Sequence, residues 1–379
     1  MIKIESFKSG NFVKSFEYKA FSPTLINSVY AWEDNELTAL AEQSAVALGQ
    51  LDAYAQLVPG IDQFIRMYVL KEATVSSRIE GTQTVMEEAL MAERDIHPEQ
   101  RDDWREVNNY VLALNNALKH LPRLPLSSRL LRKAHFDLMQ SVRGSYKTPG
   151  EFRKTQNWIG GRTLKTAFYI PPVWNDIHPL MSDLENFLHA ENTGLTHVMK
   201  IALAHYQFET IHPFLDGNGR LGRLLIPLYL IDQKIIHKPV LYLSDYFEKN
   251  RSFYYDHLTR VRTFGDLKSW MKFFMRGVID TSNHGIRTLK EILALKKKCE
   301  EKRIDNLGRK VPSAKLLLNF LFRNPVSDAE SMSHAIGLST VSTYKLIDDF
   351  MKLGILKEMT GYKRNRKFIF EEYISIFKK

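Results

Sequence analysis

Between His212 and Arg223 the chain reads His-Pro-Phe-Leu-Asp-Gly-Asn-Gly-Arg-Leu-Gly-Arg, which gathers a base, a carboxylate, a glycine-rich turn and two guanidiniums into twelve positions. Gly217, Asn218 and Gly219 permit backbone conformations with φ > 0, so that successive N–H groups can converge on an anion. The apolar run Leu221–Ile231 starts directly afterwards and reads as a helix, whose N-terminus adds aligned donors and partial positive charge. Arg220 and Arg223, three apart, can share one face of its first turn and suit the β- and γ-phosphates of a nucleotide. Asp216 is a hard oxygen ligand beside the cradle, suited to Mg²⁺ bridging phosphates. His212 follows a predicted helix over 202–211, and an imidazole near neutrality can take a proton from an attacking hydroxyl. Such parts hold a polyphosphate and present its phosphorus to a nucleophile. A zinc site of His205, His212 and Asp216 is the poorer reading, because there is no His-Glu-x-x-His pair and no cysteine nearby.

Helices must carry these groups. Apolar residues recur at i, i+3, i+4 over Glu36–Leu57, Ile61–Val75, Trp104–His120, Ser128–Val142, Ile177–Glu191 and Val198–Phe208, so the fold class is mainly α. One segment departs from that pattern. Asn157–Pro172 has two short β-prone runs around a polar turn and is expected to form a β-hairpin flap whose edge groups can pair with an extended peptide. A long helix is expected over Leu267–Lys302. Beyond Asn306-Leu-Gly308 and Pro312 come three short helices, Ser313–Phe322, Asp328–Ile336 and Thr340–Leu353. Two β-prone runs follow, Ile355–Met359 and Lys367–Phe370, joined by the basic loop 360–366. That order is a helix-turn-helix with a basic wing.

Charge separates the same two parts. From Gly285 to Lys379 there are 20 Lys and Arg against 11 Asp and Glu, while residues 1–284 hold 33 against 32. A near-neutral body with a basic tail assigns any DNA contact to 312–379. The single cysteine, Cys299, excludes an internal disulfide framework and fits a reducing compartment. The opening residues lack the apolar core of a signal peptide, and no run approaches the ~18 apolar residues of a membrane span. A cytoplasmic protein with no membrane contact is the expectation.

The run His212–Arg223 resembles the signature of the Fic (Fido) family, His-x-Phe-x-Asp/Glu-Gly-Asn-Gly-Arg-x-x-Arg, at every fixed position. Gly150-x-x-Arg153 with Gln156-x-Trp158-Ile159-Gly160 resembles the approach to that family's flap, and the similarity spans roughly residues 60–280. The resemblance implies transfer of AMP from ATP to a Ser, Thr or Tyr of a target protein, with His212 as base and Asp216 holding Mg²⁺. It implies Gly217, Asn218 and Gly219 as the anion hole and Arg220 and Arg223 on the outer phosphates. Asn250, with Tyr254 nearby, would face the adenine, and the flap 162–172 would clamp the target by strand addition. Ser76-Ser-Arg-Ile-Glu80-Gly81 matches the family's inhibitory pattern Ser/Thr-x-x-x-Glu-Gly/Asn. On that reading Glu80 takes the γ-phosphate's place on Arg223 and restrains the enzyme from within the chain, whereas the bare sequence makes it a solvated carboxylate at a helix end.

The implied organisation is an N-terminal helical region over 1–100 bearing the inhibitory helix and a catalytic core over 101–284. A helical linker over 285–311 and a winged helix-turn-helix over 312–379 would follow. The long helix and the tail are candidate homodimer surfaces. Two alternatives stay open: removal of AMP or transfer of another phosphate-linked group at the same site, and a nucleotide-sensing, DNA-binding regulator.

Overall fold

The computed structural model describes residues 1–15, 17–140, 147–361 and 366–378. Helix α1 (Asn35–Leu57) begins where the Asp34 carboxylate accepts a hydrogen bond from the Leu37 N–H at 2.8 Å, a side-chain N-cap. Its apolar stripe, including Leu37, Leu48 and Leu51, is buried. Helix α2 (Asp62–Ile79) follows, and α3 (Met86–Ala89) is a single turn beyond it. Next come α4 (Arg101–His120) and α5 (Ser128–Leu138) as a packed pair, then α6 (Ile177–His189). The sequence reading carried α5 on to Val142, but residues 141–146 lie outside the described ones.

The centre of the body is α7 (His197–Ile211), every residue of which from Val198 to Ile211 is buried. Buried on every side, polar Lys200, Gln207 and Glu209 included, α7 is enclosed by α1, α6, α8 (Asn218–Asp232), α10 (Arg251–Phe264) and α11 (Leu267–Lys298). The short α9 (Ser244–Lys249) precedes α10. Between α11 and α1 the backbones approach closely: a Cβ on Gly285 would lie 3.0 Å from the Leu51 side chain. The stretch 285–311, expected as a helical linker, begins as the continuation of α11, in keeping with the long helix expected over Leu267–Lys302, and its Thr288, Leu289, Ile292 and Leu295 are buried.

Past α11 a turn of π-helix over Cys299–Arg303 leads to α12 (Val311–Arg323), α13 (Ala329–Ile336) and α14 (Thr340–Lys352). Three short strands, Val326–Asp328, Lys357–Glu358 and Lys367–Ile369, form an antiparallel sheet with the last strand in the middle. Residues 362–365, most of the expected wing, lie outside the described residues. The chain then forms α15 (Glu371–Lys378), which periodicity reading missed. This C-terminal unit lies directly on α2. Phe64 packs edge-on to Phe322 at 5.6 Å, Tyr68 packs against Phe377 at 5.3 Å, and the Arg66 guanidinium donates to the Arg323 carbonyl at 3.4 Å.

Two sequence expectations need correction. The N-terminal region does not open on helices: Gly10–Ser15 and Tyr18–Pro23 form an antiparallel ribbon, and Ile2–Lys3 pairs in parallel with Tyr30–Ala31. These strands are held by tertiary pairing rather than by a strong alternating pattern. The flap, expected as a hairpin, is reduced to one antiparallel bridge between Ile159 and Tyr169. Gly160 and Gly161 both take φ near +70°, and the Thr166 hydroxyl accepts from the Arg162 and Thr163 N–H groups, so the residues between form a compact turn. The second run pairs elsewhere as well, the Phe21 N–H donating to the Ile170 carbonyl at 2.9 Å.

Candidate active site

Helix α7 stops at His212, whose φ of 50° and ψ of 60° are left-handed. Pro213 supplies no N–H, and a non-glycine residue at positive φ is held only where its surroundings over-determine it. Those surroundings are explicit. The Arg153 guanidinium donates to the His212 carbonyl at 3.0 Å and to the Pro172 carbonyl at 2.6 Å. The Phe214 ring stacks on His135 at 3.8 Å. Gly150 N–H donates to His135 Nδ1 at 2.8 Å, so the ring's proton sits on Nε2 and points to the Asp216 carbonyl at 3.0 Å. Burial pushes His135 down to about 4, which keeps it neutral and preserves that tautomer.

The Asn218 side chain has a task beside the backbone role expected of this residue. Its carboxamide accepts from the Phe214 N–H and donates to the Phe214 carbonyl, each at 2.9 Å, so its side chain closes the loop on itself. The backbone of Asn218 and Gly219 still opens α8 after Gly217, which has φ of 74°. Gly219 is required by close approach: a Cβ there would lie 2.3 Å from Glu80 Oε1.

His212 itself is half-buried, and its Nδ1 has no hydrogen-bond partner. Burial, aided by Arg153, holds the imidazole down at about 4, so it is an unprotonated base at neutral pH. Asp216 keeps 39% of its side chain exposed. Its Oδ2 accepts from Lys147 at 2.7 Å, and its Oδ1 from the Gly217 N–H at 2.6 Å. Burial alone would raise this carboxyl, but Lys147 and Arg220 outweigh it and keep it below its ordinary value.

The two arginines part company. Arg220 turns to α4, where its Nη1 donates to Glu106 Oε2 at 2.9 Å. Arg223 turns to α2 and is all but fully buried. Its Nε donates to Ser76 Oγ at 2.8 Å, and its Nη2 to the Ser76 carbonyl at 2.9 Å and to Glu80 Oε1 at 2.6 Å. The pair forms because α2 ends at Glu80: Gly81 takes φ of 110°, its N–H donates to the Arg78 carbonyl, and the Arg251 guanidinium caps the Ile79 carbonyl at 2.8 Å. The Asn250 amide donates to the Tyr246 carbonyl, and Asn250 lines a cavity with Glu72 and Tyr242, while the Tyr254 hydroxyl is engaged with His205 Nε2 at 3.0 Å.

His205 Nδ1 meets the Gly222 carbonyl at 2.9 Å and the ring stacks on Trp270, which gives it a packing role. Among the described residues no His, Cys, Asp and Glu cluster could hold a metal without further ligands. A single carboxylate with an exposed face does fit Mg²⁺ carried by substrate phosphates, since that ion is commonly held by one or two carboxylates and phosphate oxygens. Sequence reasoning missed His135, Glu106 and Glu209. Glu209 is buried against Gly222 with Oε1 unpartnered, and burial pushes its carboxyl up to about 7. Nothing local marks any of the three.

Residues 38–119 match the Fic/DOC family N-terminal region, and residues 125–230 match the Fic/DOC family itself. The chain is 35% identical over 176 residues to the protein adenylyltransferase Fic of Culex quinquefasciatus, covering 44% of this chain and 31% of that protein. It is 37% identical over 170 residues to the protein of the same name in Drosophila sechellia, covering 44% and 32%. The match thus spans about a third of these relatives' length. Among solved structures, a Fic family protein from Desulfovibrio desulfuricans aligns with a TM-score of 0.56 at 20% identity, over 90% of this chain and 98% of that one. Fic-1 from C. elegans, residues 134–508, aligns at 0.51 and 20%, over 68% and 74%. No helix among the described residues is long and apolar enough to cross a membrane.

Proposed function

This chain belongs to the Fic/DOC family, and on that premise we propose that it transfers AMP from ATP to a Ser, Thr or Tyr hydroxyl of a target protein. The observation that carries the reading is Arg223 at the start of α8, buried and held by Ser76 and Glu80 beside a glycine-opened helix N-terminus. A guanidinium there is a ready phosphate partner, and Glu80 occupies it in the phosphate's stead.

In this mechanism the unprotonated His212 takes the proton of the target hydroxyl as its oxygen attacks the α-phosphorus. The new P–O bond forms while the bond to the β-phosphate breaks, and diphosphate leaves. The first N–H groups of α8 hold the phosphate oxygens, and Arg223, once released by Glu80, stabilises the outer phosphates. Asp216 would hold Mg²⁺, which neutralises phosphate charge when bound. Glu80 restrains the reaction by keeping Arg223 and by crowding Gly219.

Incubation with ATP labelled at the α-phosphate tests this. His212→Ala should abolish self-labelling and Glu80→Gly should raise it about tenfold or more, a change of ~1.4 kcal/mol in the barrier. Equal labelling of wild type and Glu80→Gly would sink the restraint, and undiminished labelling of His212→Ala would sink the transfer itself. The basic C-terminal unit is proposed to contact DNA. Its affinity should then fall steeply between 50 and 200 mM salt in a gel-shift titration, and a flat salt response would remove that role.

A further inference from the structure

A cavity of about 550 Å³ opens where α2, α9, α11 and α15 meet, and none of the motif residues from His212 to Arg223 lines it. Its volume falls within the range of small-molecule sites, roughly 300–1,000 Å³. Its inner end is polar in a specific way. Glu72 and Tyr242 are each more than nine-tenths buried, both line the cavity, and both carry an oxygen with no partner: Glu72 Oε2 and the Tyr242 hydroxyl. The other oxygen of Glu72 is satisfied by the Tyr110 and Ser244 hydroxyls, so the carboxyl is fixed in place with one acceptor left over. Buried polar atoms without partners are rare in folded proteins and call for a group that completes them.

The walls and the mouth differ from that end. Tyr68, Tyr246 and Phe377 supply aromatic surface along the walls. At the mouth stand the exposed Lys249 and Arg287, with Lys71 set deeper. Asp245 is already matched by Lys249 at 2.9 Å and Lys71 at 3.7 Å, which leaves Asp280 as the acid opposing these cations.

We infer that this cavity binds a small ligand with a planar, amino-bearing head and an anionic tail, the chemistry of a nucleoside monophosphate, at a site separate from Arg223. The head's N–H donors reach Glu72 Oε2 and the Tyr242 hydroxyl, its ring lies against the aromatic walls, and the phosphate meets Lys249 and Arg287. The site does not depend on the transfer reaction.

Photolabelling of the full chain with 8-azido-AMP, followed by peptide mapping, is the decisive experiment. Saturable label should appear on the peptide carrying residues 283–288, on the α11 side of the cavity, because Asn250 in the other wall is also the residue expected at the adenine of the transfer site. Label confined to 212–223 or to 250–254, or no saturable label, would overturn the site. Val75→Trp, which fills the cavity from α2, should cut that label about tenfold. Should Val75→Trp fail to fold, the exposed pair Lys249→Glu and Arg287→Glu should weaken AMP about tenfold by calorimetry at an unchanged melting temperature. Adenosine should bind about tenfold more weakly than AMP. Inorganic phosphate binding as well as AMP would remove the role of Glu72 and Tyr242, and unaltered AMP affinity in the charge-reversed pair would remove the tail.

Discussion

Arg220 and Arg223 stand three residues apart in one motif, and each meets a carboxylate from a different helix, yet the two pairs settle differently. Burial works against ionisation at both Glu106 and Glu80. At Glu106 burial prevails over Arg220, helped by the nearby Asp216 and Asp102, and the carboxyl sits above its ordinary value. At Glu80 the charge and hydrogen bond of Arg223, with Arg220 behind it, overcome burial, and the carboxyl sits below it. Exposure differs in the same sense, 14% for the Glu106 side chain and 36% for Glu80. The Arg220 pair is therefore enclosed and fastens α8 to α4, while the Arg223 pair is fully charged, open on one side and able to exchange its carboxylate for a phosphate.

The largest effect should come from breaking the enclosed pair. Arg220→Ala leaves Glu106 buried without its cation and should cost about 3–5 kcal/mol, read as a lowered urea midpoint. A loss under ~1 kcal/mol would show that the enclosed pair fastens α8 no more firmly than the open one and would erase the contrast. Glu209, buried against Gly222 of α8, comes next. Its folded carboxyl is raised from 4.5 to about 7, so the folded state holds a proton that the unfolded chain releases across that window. Stability from this group is thus full below pH 4.5 and is lost as pH rises through 7. Glu209→Gln should match wild type near pH 4.5 and exceed it by up to roughly 3 kcal/mol above pH 7. A pH-independent difference would mean that Glu209 is not protonated in the fold. The smallest change belongs to the open pair. Glu80→Gln should alter stability by no more than about 1 kcal/mol at neutral pH, because the Glu80 end of the pair is open to water and the buried Arg223 keeps Ser76 Oγ, the Ser76 carbonyl and the new amide oxygen as acceptors. The wild-type advantage should fade as pH drops through the lowered carboxyl value of Glu80. A larger loss in thermal unfolding would make Glu80 a structural anchor and not a displaceable guard.

What the sequence made legible follows from how local each signal is. Helices α1, α2 and α4 to α8 and the glycine-opened turn could be read because periodicity and backbone freedom reside in neighbouring residues, whereas the single turn of α3 is too short to show a period. Glu80 meeting Arg223 was legible only through the motif pattern, since nothing within Ser76–Gly81 says which way the carboxylate points. The ribbon over residues 10–23 and the reduced flap depend on long-range partners such as Phe21 and Ile170. His135, Glu106 and Glu209 were invisible for the same reason, each taking its role from a residue far along the chain. Asn218 was expected to lend its backbone N–H to an anion, and its side chain, of which the motif says nothing, closes the loop on Phe214.

The seating of α15 on α2 has a consequence for the order of synthesis. Tyr68 and Phe64 emerge from the ribosome long before Phe377 and Tyr373, their partners. Throughout most of translation, then, the outer face of the helix that carries Glu80 has no cover. Contacts this distant in sequence close slowly, because a long loop must be ordered first. The backing of that helix is thus among the late steps of a newborn molecule's maturation.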